Sequence, residues 1–199
     1  SRAHHVGMTY DWNINQNLHL KIEPYFQYLF RIPVEKNSSF SVINHEEFYL
    51  DRILTNTGQG RNYGIDITLE QYMKNGFYYM ITGSLFKSKY RGGDNVWRNT
   101  RLDKNYLLNL LAGKEWMVGK LKQNVLSLNG RLFFQGGERY TPVNEERSQT
   151  EHDIFFDETK AYSKRFNPSI NGDVSVSFRI NKKRVSHEFS LKILNVGMR

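Results

Sequence analysis

From Leu18 every second residue belongs to one apolar set, Leu18, Leu20, Ile22, Pro24, Phe26, Tyr28, Phe30 and Ile32. Between them stand His19, Lys21, Glu23, Tyr25, Gln27, Leu29 and Arg31. A period of two marks a strand with two differently solvated faces. At ~3.3 Å per residue this one runs roughly 50 Å, where a strand of ordinary length holds about 5 to 6 residues. The pattern recurs along the chain. Val6, Met8, Tyr10 and Trp12 precede it; Tyr63, Ile65, Ile67, Leu69 and then Phe77, Tyr79, Ile81, Gly83, Leu85 follow. Tyr106 to Ala112 and Leu126 to Phe134 repeat it. Ile170, Gly172, Val174, Val176, Phe178 and Ile180 alternate with Ser169, Asn171, Asp173, Ser175, Ser177, Arg179 and Asn181, and His187, Phe189, Leu191, Ile193 complete the series. No stretch favours helical periodicity over this alternation, so long helices are not expected outside the connections.

The connections sort the architectures. Asn13 to Gln16, Lys74-Asn75-Gly76, Gly119 to Gln123 and Lys182-Lys183-Arg184 are short enough for tight hairpins. The other joints, Pro33 to Thr57, Arg91 to Asp103 and Gly137 to Phe166, are long. Short and long alternate strictly, which puts every long loop at one end. That is the habit of outer-membrane barrels, with short periplasmic turns, long external loops, an apolar band towards lipid and a polar lumen. The expected fold is therefore all-β, an antiparallel up-and-down meander of about eight long strands forming one domain over residues 1–199. Apolar-face aromatics beside the short turns (Trp12, Phe77, Tyr79, Trp116, Phe178) and near the long loops (Tyr28, Phe30, Tyr63, Tyr106, Phe134) fit two interfacial girdles.

Composition narrows the function classes. Lys and Arg number 28 against 20 Asp and Glu, for a net charge of +8, and cysteine is missing, so no thiolate site or disulfide enters. The positive charge is spread over turns and expected inner-face positions such as Lys21, Arg31, Arg61, Arg131 and Arg179, without the continuous basic face and interleaved aromatics of a nucleic-acid surface. The longest apolar run, Phe77 to Ile81, is far below the ~20 residues of a helical membrane span. No basic segment followed by an apolar core opens the chain, so the expectation is a removed leader or an interior piece of something longer.

The stretch Ser1-Arg-Ala-His-His5, then Lys21-Ile-Glu-Pro-Tyr-Phe-Gln27, Ile32-Pro-Val34 and Ser39-Phe-Ser41, resembles the barrel of TonB-dependent outer-membrane receptors of the type that begins with a carboxypeptidase-regulatory-like domain. Gly58-Gln-Gly-Arg-Asn-Tyr-Gly64, Ser84-Leu-Phe-Lys-Ser-Lys-Tyr90, Asn99-Thr-Arg101, Gly113-Lys-Glu115, Gly136-Gly-Glu-Arg-Tyr-Thr-Pro142 and Leu194-Asn-Val196 extend it over nearly the whole chain, in order. The resemblance implies about eight strands from the C-terminal part of a larger transmembrane barrel, with plug, early strands and terminal strand outside these residues. It implies a transporter in the outer membrane of a Gram-negative bacterium, with lipid around it, TonB acting through the plug, and a nutrient ligand (siderophore, glycan or peptide) captured by external loops. The ligand-contact candidates are Trp97, Arg98, Tyr140, Phe155 and Phe156.

Catalytic and metal chemistry find little footing. There is no Gly-x-Ser-x-Gly elbow and no carboxylate pair with a recognisable base, so the chain is not expected to be an enzyme. Gly58-Gln-Gly60 and Gly92-Gly93 lack the following helix of a phosphate cradle. His4-His5 point to opposite faces of a strand, His45-Glu46-Glu47 lacks a second histidine at helical spacing, and Asp153 to Glu158 reads as a solvated acidic turn. No metal or cofactor is expected. Two further readings fit the alternation: a small self-contained outer-membrane barrel with an adhesive or structural role, and a soluble ligand-binding β-barrel.

Overall fold

The computed structural model describes residues 1–46 and 49–196. Eight strand positions follow one another in chain order across a single antiparallel sheet. The first is split into β1 (Arg2–Gly7) and β2 (Tyr10–Asn15), both paired with β3 (Leu18–Glu35). The sheet continues through β4 (Leu54–Lys74), β5 (Phe77–Arg91), β7 (Tyr106–Val118), β8 (Asn124–Gln135), β11 (Ser169–Asn181) and β12 (Ser186–Ile193). Short β6 (Trp97–Asn99) extends the ladder of β5, and β9 (Arg139–Tyr140) pairs with β10 (Lys164–Arg165) as a separate ribbon. The expected up-and-down meander is the observed fold. Helix is confined to the long connections: α1 (Glu145–Glu151), begun by the Asn144 side chain accepting from the Arg147 amide, and two single 3₁₀ turns.

Register carries the alternation from strand to strand. Val6 faces Phe26, which faces Tyr63; Ile22 faces Ile67; Ile81 faces Leu110, then Leu132; Leu128 faces Val176, then Leu191. One apolar face therefore crosses the sheet, and it lies open: Val176 is 42% exposed, Leu191 67% and Val6 66%. The other face is polar and internally paired. Asn62 donates to Gln27 (2.8 Å), Ser88 to Asn62 (2.7 Å), Tyr78 to Asn129 (2.8 Å) and Arg131 to Asn109 (3.0 Å). Lys21 pairs with Glu23 at 2.9 Å and Arg179 with Glu188 at 2.8 Å. We call this the inner face.

Local chemistry explains where the ladder breaks. The Pro24 carbonyl accepts from the Met8 amide at 3.1 Å, so the amide that proline lacks would have pointed at the same neighbour. The gap between β1 and β2 falls there. At Arg31 the backbone turns left-handed (φ 54°) and the register slips, a bulge that reverses the alternation beyond it. Ile32, expected beside Phe30, is thereby carried to the inner face opposite Gly58, and Arg31 is not an ordinary inner-face position. The inner-face expectation for Arg61 is also corrected: it stands opposite Tyr28 on the side of Tyr63, with its guanidinium 4.3 Å from the Trp97 ring centroid. Of the five charged positions expected on the inner face, Arg31 departs because the bulge interrupts the alternation there, and Arg61 because it shares the parity of Tyr63 in an unbroken register. The Asn75-Gly76 turn places both residues left-handed (φ 52° and 73°), the two-residue geometry that matches strand twist.

Strands β3 and β4 hold 18 and 21 residues, well beyond the ~9–11 that cross a bilayer in a tilted barrel. The excess lies at the long-loop end. There the interior is built: among the described residues the buried apolar set is Ile32, Val34, Tyr90 and Ala161. At the lateral edges β1, β2 and β12 are exposed at every position, and no pairing joins β12 to β1 or β2 among the described residues.

Candidate functional site

The inner-face end of β3, β4 and β5 is floored by glycines. A Cβ at Gly58 would collide with the Val34 side chain, and one at Gly60 would come within 2.9 Å of Leu29. Their absence lets Ile32, Val34 and the fully buried Tyr90 settle flat on the sheet. Over this floor three loops converge, the first described at 36–46 and 49–53, the others 92–105 and 136–168. The ring of Tyr162, from the third, meets Tyr90 edge to face at 6.1 Å.

Asp103 ties the loops together. Its side chain is 0% exposed and takes the Ser88 amide at 3.0 Å, Arg139 Nε at 2.8 Å and Arg165 Nη2 at 3.4 Å. Arg165 also donates to the carbonyls of Lys104 and Asp103, both at 2.7 Å. Burial, then the neighbouring Arg139 charge, pull the Arg165 guanidinium below its usual range. Beside it Glu138 accepts from Arg101 (2.8 Å) and Lys104 (3.3 Å), and Arg101 reaches across to Glu46 of the first loop. Thr100 donates to Ser88 at 2.7 Å, which continues the inner-face network down through Asn62 to Gln27. Buried polar networks of this sort hold the loops in one arrangement, although Asn44 Nδ2 and the Tyr90 hydroxyl at its margin are left without partners.

The predicted ligand residues divide among three environments. Trp97, in β6, lies on the side of Arg61, away from the inner face. Arg98 is held by Asp94 at 2.6 and 2.9 Å; burial would raise that carboxyl, and the Arg98 and Val96 hydrogen bonds outweigh it and leave it below the ordinary carboxylate range. Tyr140, in β9, packs on Phe166 with centroids 4.5 Å apart. Phe155 lies under Arg147 at 4.0 Å, and Phe156 bridges to Val143 and is 55% exposed. The fold brings Tyr140, Phe155 and Phe156 into one loop, and no ring contact or hydrogen bond joins them to Trp97 or Arg98 among the described residues.

Sequence reasoning passed over a cleft between the first and third loops. It encloses about 730 Å³ and is walled by Ser39, Ser41, Asn44, Tyr49, Asp51, Glu158 and Tyr162 among others. Ser39 donates to Glu158, so opposite walls touch at the base. Asn44 Nδ2 is buried without a partner, and Tyr162 is held left-handed (φ 54°), a conformation bulky residues seldom take. The available sequence signal was the crowding of hydroxyl and amide residues in Ser38 to Asn44.

Among the described residues no three His, Asp or Glu side chains converge on a metal-sized point. His4 stacks on Phe30 and His5 meets Tyr25 on the other face; Glu47 lies outside the described residues. Asp157 is taken up by Lys160 and Thr159, which hold its carboxyl at about 2. No helix among the described residues is long and apolar enough to cross a membrane, a finding that does not bear on strands. No family model, no curated protein and no solved structure matches this chain.

Proposed function

We propose that this chain forms part of the transmembrane barrel of a TonB-dependent outer-membrane receptor and serves the import of a nutrient ligand. The observation that carries the reading is the apolar face, continuous through every ladder of the meander and open along it. Soluble monomers rarely expose contiguous apolar patches beyond a few hundred Å². A bilayer solvates such a face, and the antiparallel ladders satisfy backbone groups that lipid cannot. The polar inner face, with charges paired within β3 and between β11 and β12, suits a passage for a hydrated solute. Loops knotted together at one end and two- to five-residue turns at the other suit an external capture surface and a periplasmic rim. In receptors of this kind TonB acts through a plug, to which no residue here is assigned.

Lipid contact tests the proposal. Spin labels at positions 174 and 176 of β11 are expected to respond to a lipid-soluble relaxant, and a label at 175 to a water-soluble one. Shielding of 174 and 176 from lipid would sink the transmembrane reading and leave a soluble β-barrel in its place.

A further inference from the structure

We infer that the outward face of β4 and β5, where it meets the long loops, holds the phosphate headgroup of a membrane lipid through Arg61, Lys87 and Lys89. The inference rests on the transmembrane reading and deepens it by naming the lipid chemistry that one patch of the surface selects.

Charge on these two strands is sorted by face. Among the described residues of β4 and β5, no Asp or Glu shares the parity of Tyr63 or of Leu85; Asp66 and Glu70 stand on the inner face. Cations gather on the outward side instead. Lys87 stands opposite Tyr63, and two residues nearer the loops Lys89 stands opposite Arg61. Like charges set directly opposite one another weaken a ladder, and an anion between them removes that cost.

The cations are positioned without being neutralised. The Arg61 guanidinium lies 4.3 Å from the Trp97 ring centroid, and Lys87 Nζ donates to Asn105 Oδ1 at 2.8 Å. A π face and an amide oxygen hold them in place and leave their charge intact. Lys89 is exposed, and none of the three enters an ion pair among the described residues. Asp94, in the same connection as Trp97, is taken up by Arg98 at 2.6 Å.

Positions 61, 63, 87 and 89 outline a patch about 5 Å across the strands and ~7 Å along them, with the Tyr63 hydroxyl as a further donor. A phosphate presents up to three free oxygens to such a set, one more than a carboxylate. Away from the loops the same face turns apolar: Leu85 is 60% exposed and Ile67 39%. A free phosphate would leave these side chains uncovered, and a hydrocarbon without a headgroup would leave the cations unpaired. A lipid answers both, its phosphate among the cations and its chains along Leu85 and Ile67.

The test is native mass spectrometry of the full-length protein, purified in detergent, stripped of lipid and then offered phosphatidic acid, phosphatidylglycerol, phosphatidylcholine or glycerol 3-phosphate. Both anionic lipids are expected to be retained at least about fivefold better than phosphatidylcholine, whose choline offsets its phosphate. Glycerol 3-phosphate should not be retained at the same concentration. Arg61→Gln and Lys89→Gln should each lower retention of phosphatidic acid about fivefold. Lys183→Gln, in a turn at the opposite end, should leave it unchanged, with circular dichroism alike in all variants. Equal retention of phosphatidylcholine overturns the inference, as does retention indifferent to both patch variants. Glycerol 3-phosphate bound as well as the lipids would also overturn it, by making the patch a site for a soluble anion. The transmembrane reading is judged separately: labels on β11 that meet lipid, beside a patch that shows no headgroup preference, would sink this inference alone.

Discussion

Asp103 has no route to water and two guanidiniums directed at it, so it is the residue on which the loop end depends most. Removing one partner of a buried ion pair leaves the other charge uncompensated, typically at about 3–5 kcal/mol. Asp103→Ala is therefore expected to release segment 136–168, read as a gain in proteolytic cleavage there, while the spectroscopic signature of the strands stays as it was. Unchanged cleavage would show that the loop is held by something else. Proton binding gives a second handle. Asp157, at about 2, and Asp94, lowered as well, have folded values below the ~3.9 of an unfolded aspartate. A depressed carboxyl stabilises the fold fully above its unfolded value and stops doing so as pH falls through its folded one. Pulse hydrogen-exchange labelling should then find residues 94–98 and 157–160 equally protected from pH 7 to about 5 and progressively less so between about 4 and 2. Loss of protection already near pH 6 would mean that other groups control these loops.

On the scale of the element, β11 offers the cleanest contrast. Val174→Arg or Val176→Arg puts a charge on the open apolar face, at roughly 2–4 kcal/mol near a bilayer midplane, whereas Ser175→Arg enters the polar inner face and should cost far less. Equal costs, measured by reversible unfolding in lipid, would remove the two-faced account of the strand. Strands of this kind were legible because each alternates without needing knowledge of its partners. The exceptions have local causes: Pro24 breaks the first strand through an amide missing on the neighbour's side, and the left-handed Arg31 reverses parity so that Ile32 joins the interior. The first long loop is also shorter than expected, because β3 runs to Glu35 and β4 begins at Leu54. Little of the loop end could be read in advance. Asp103 meets Arg139 and Arg165 across 36 and 62 positions of chain, and nothing in the spacing of single charges announces such pairs. The cleft depends likewise on Ser39 reaching Glu158, 119 positions away.

Across the whole molecule the meander has two unlike ends, and orientation follows from them. In the intact protein, Asn144→Cys beside α1 should react on whole cells with an impermeant thiol reagent, and Asn75→Cys in the two-residue turn should not, with no native cysteine to obscure the result. Equal labelling would reverse or abolish the assignment of the loops to the outside. The division between an open apolar face and a packed loop end also has a consequence for how this sequence can drift. Leu128, Val174 and Leu191 touch cross-strand neighbours but stand open above the sheet, so their positions impose chemistry more than shape, and exchanges among leucine, valine, isoleucine and phenylalanine there should be nearly silent. Gly58, Gly60 and Val34 are bound by shape: a single added methyl at Gly58 meets a side chain that has nowhere to go. In a library of variants selected for folding, the strands' outer positions would wander freely within the apolar alphabet, and the glycine floor beneath Tyr90 would stand still.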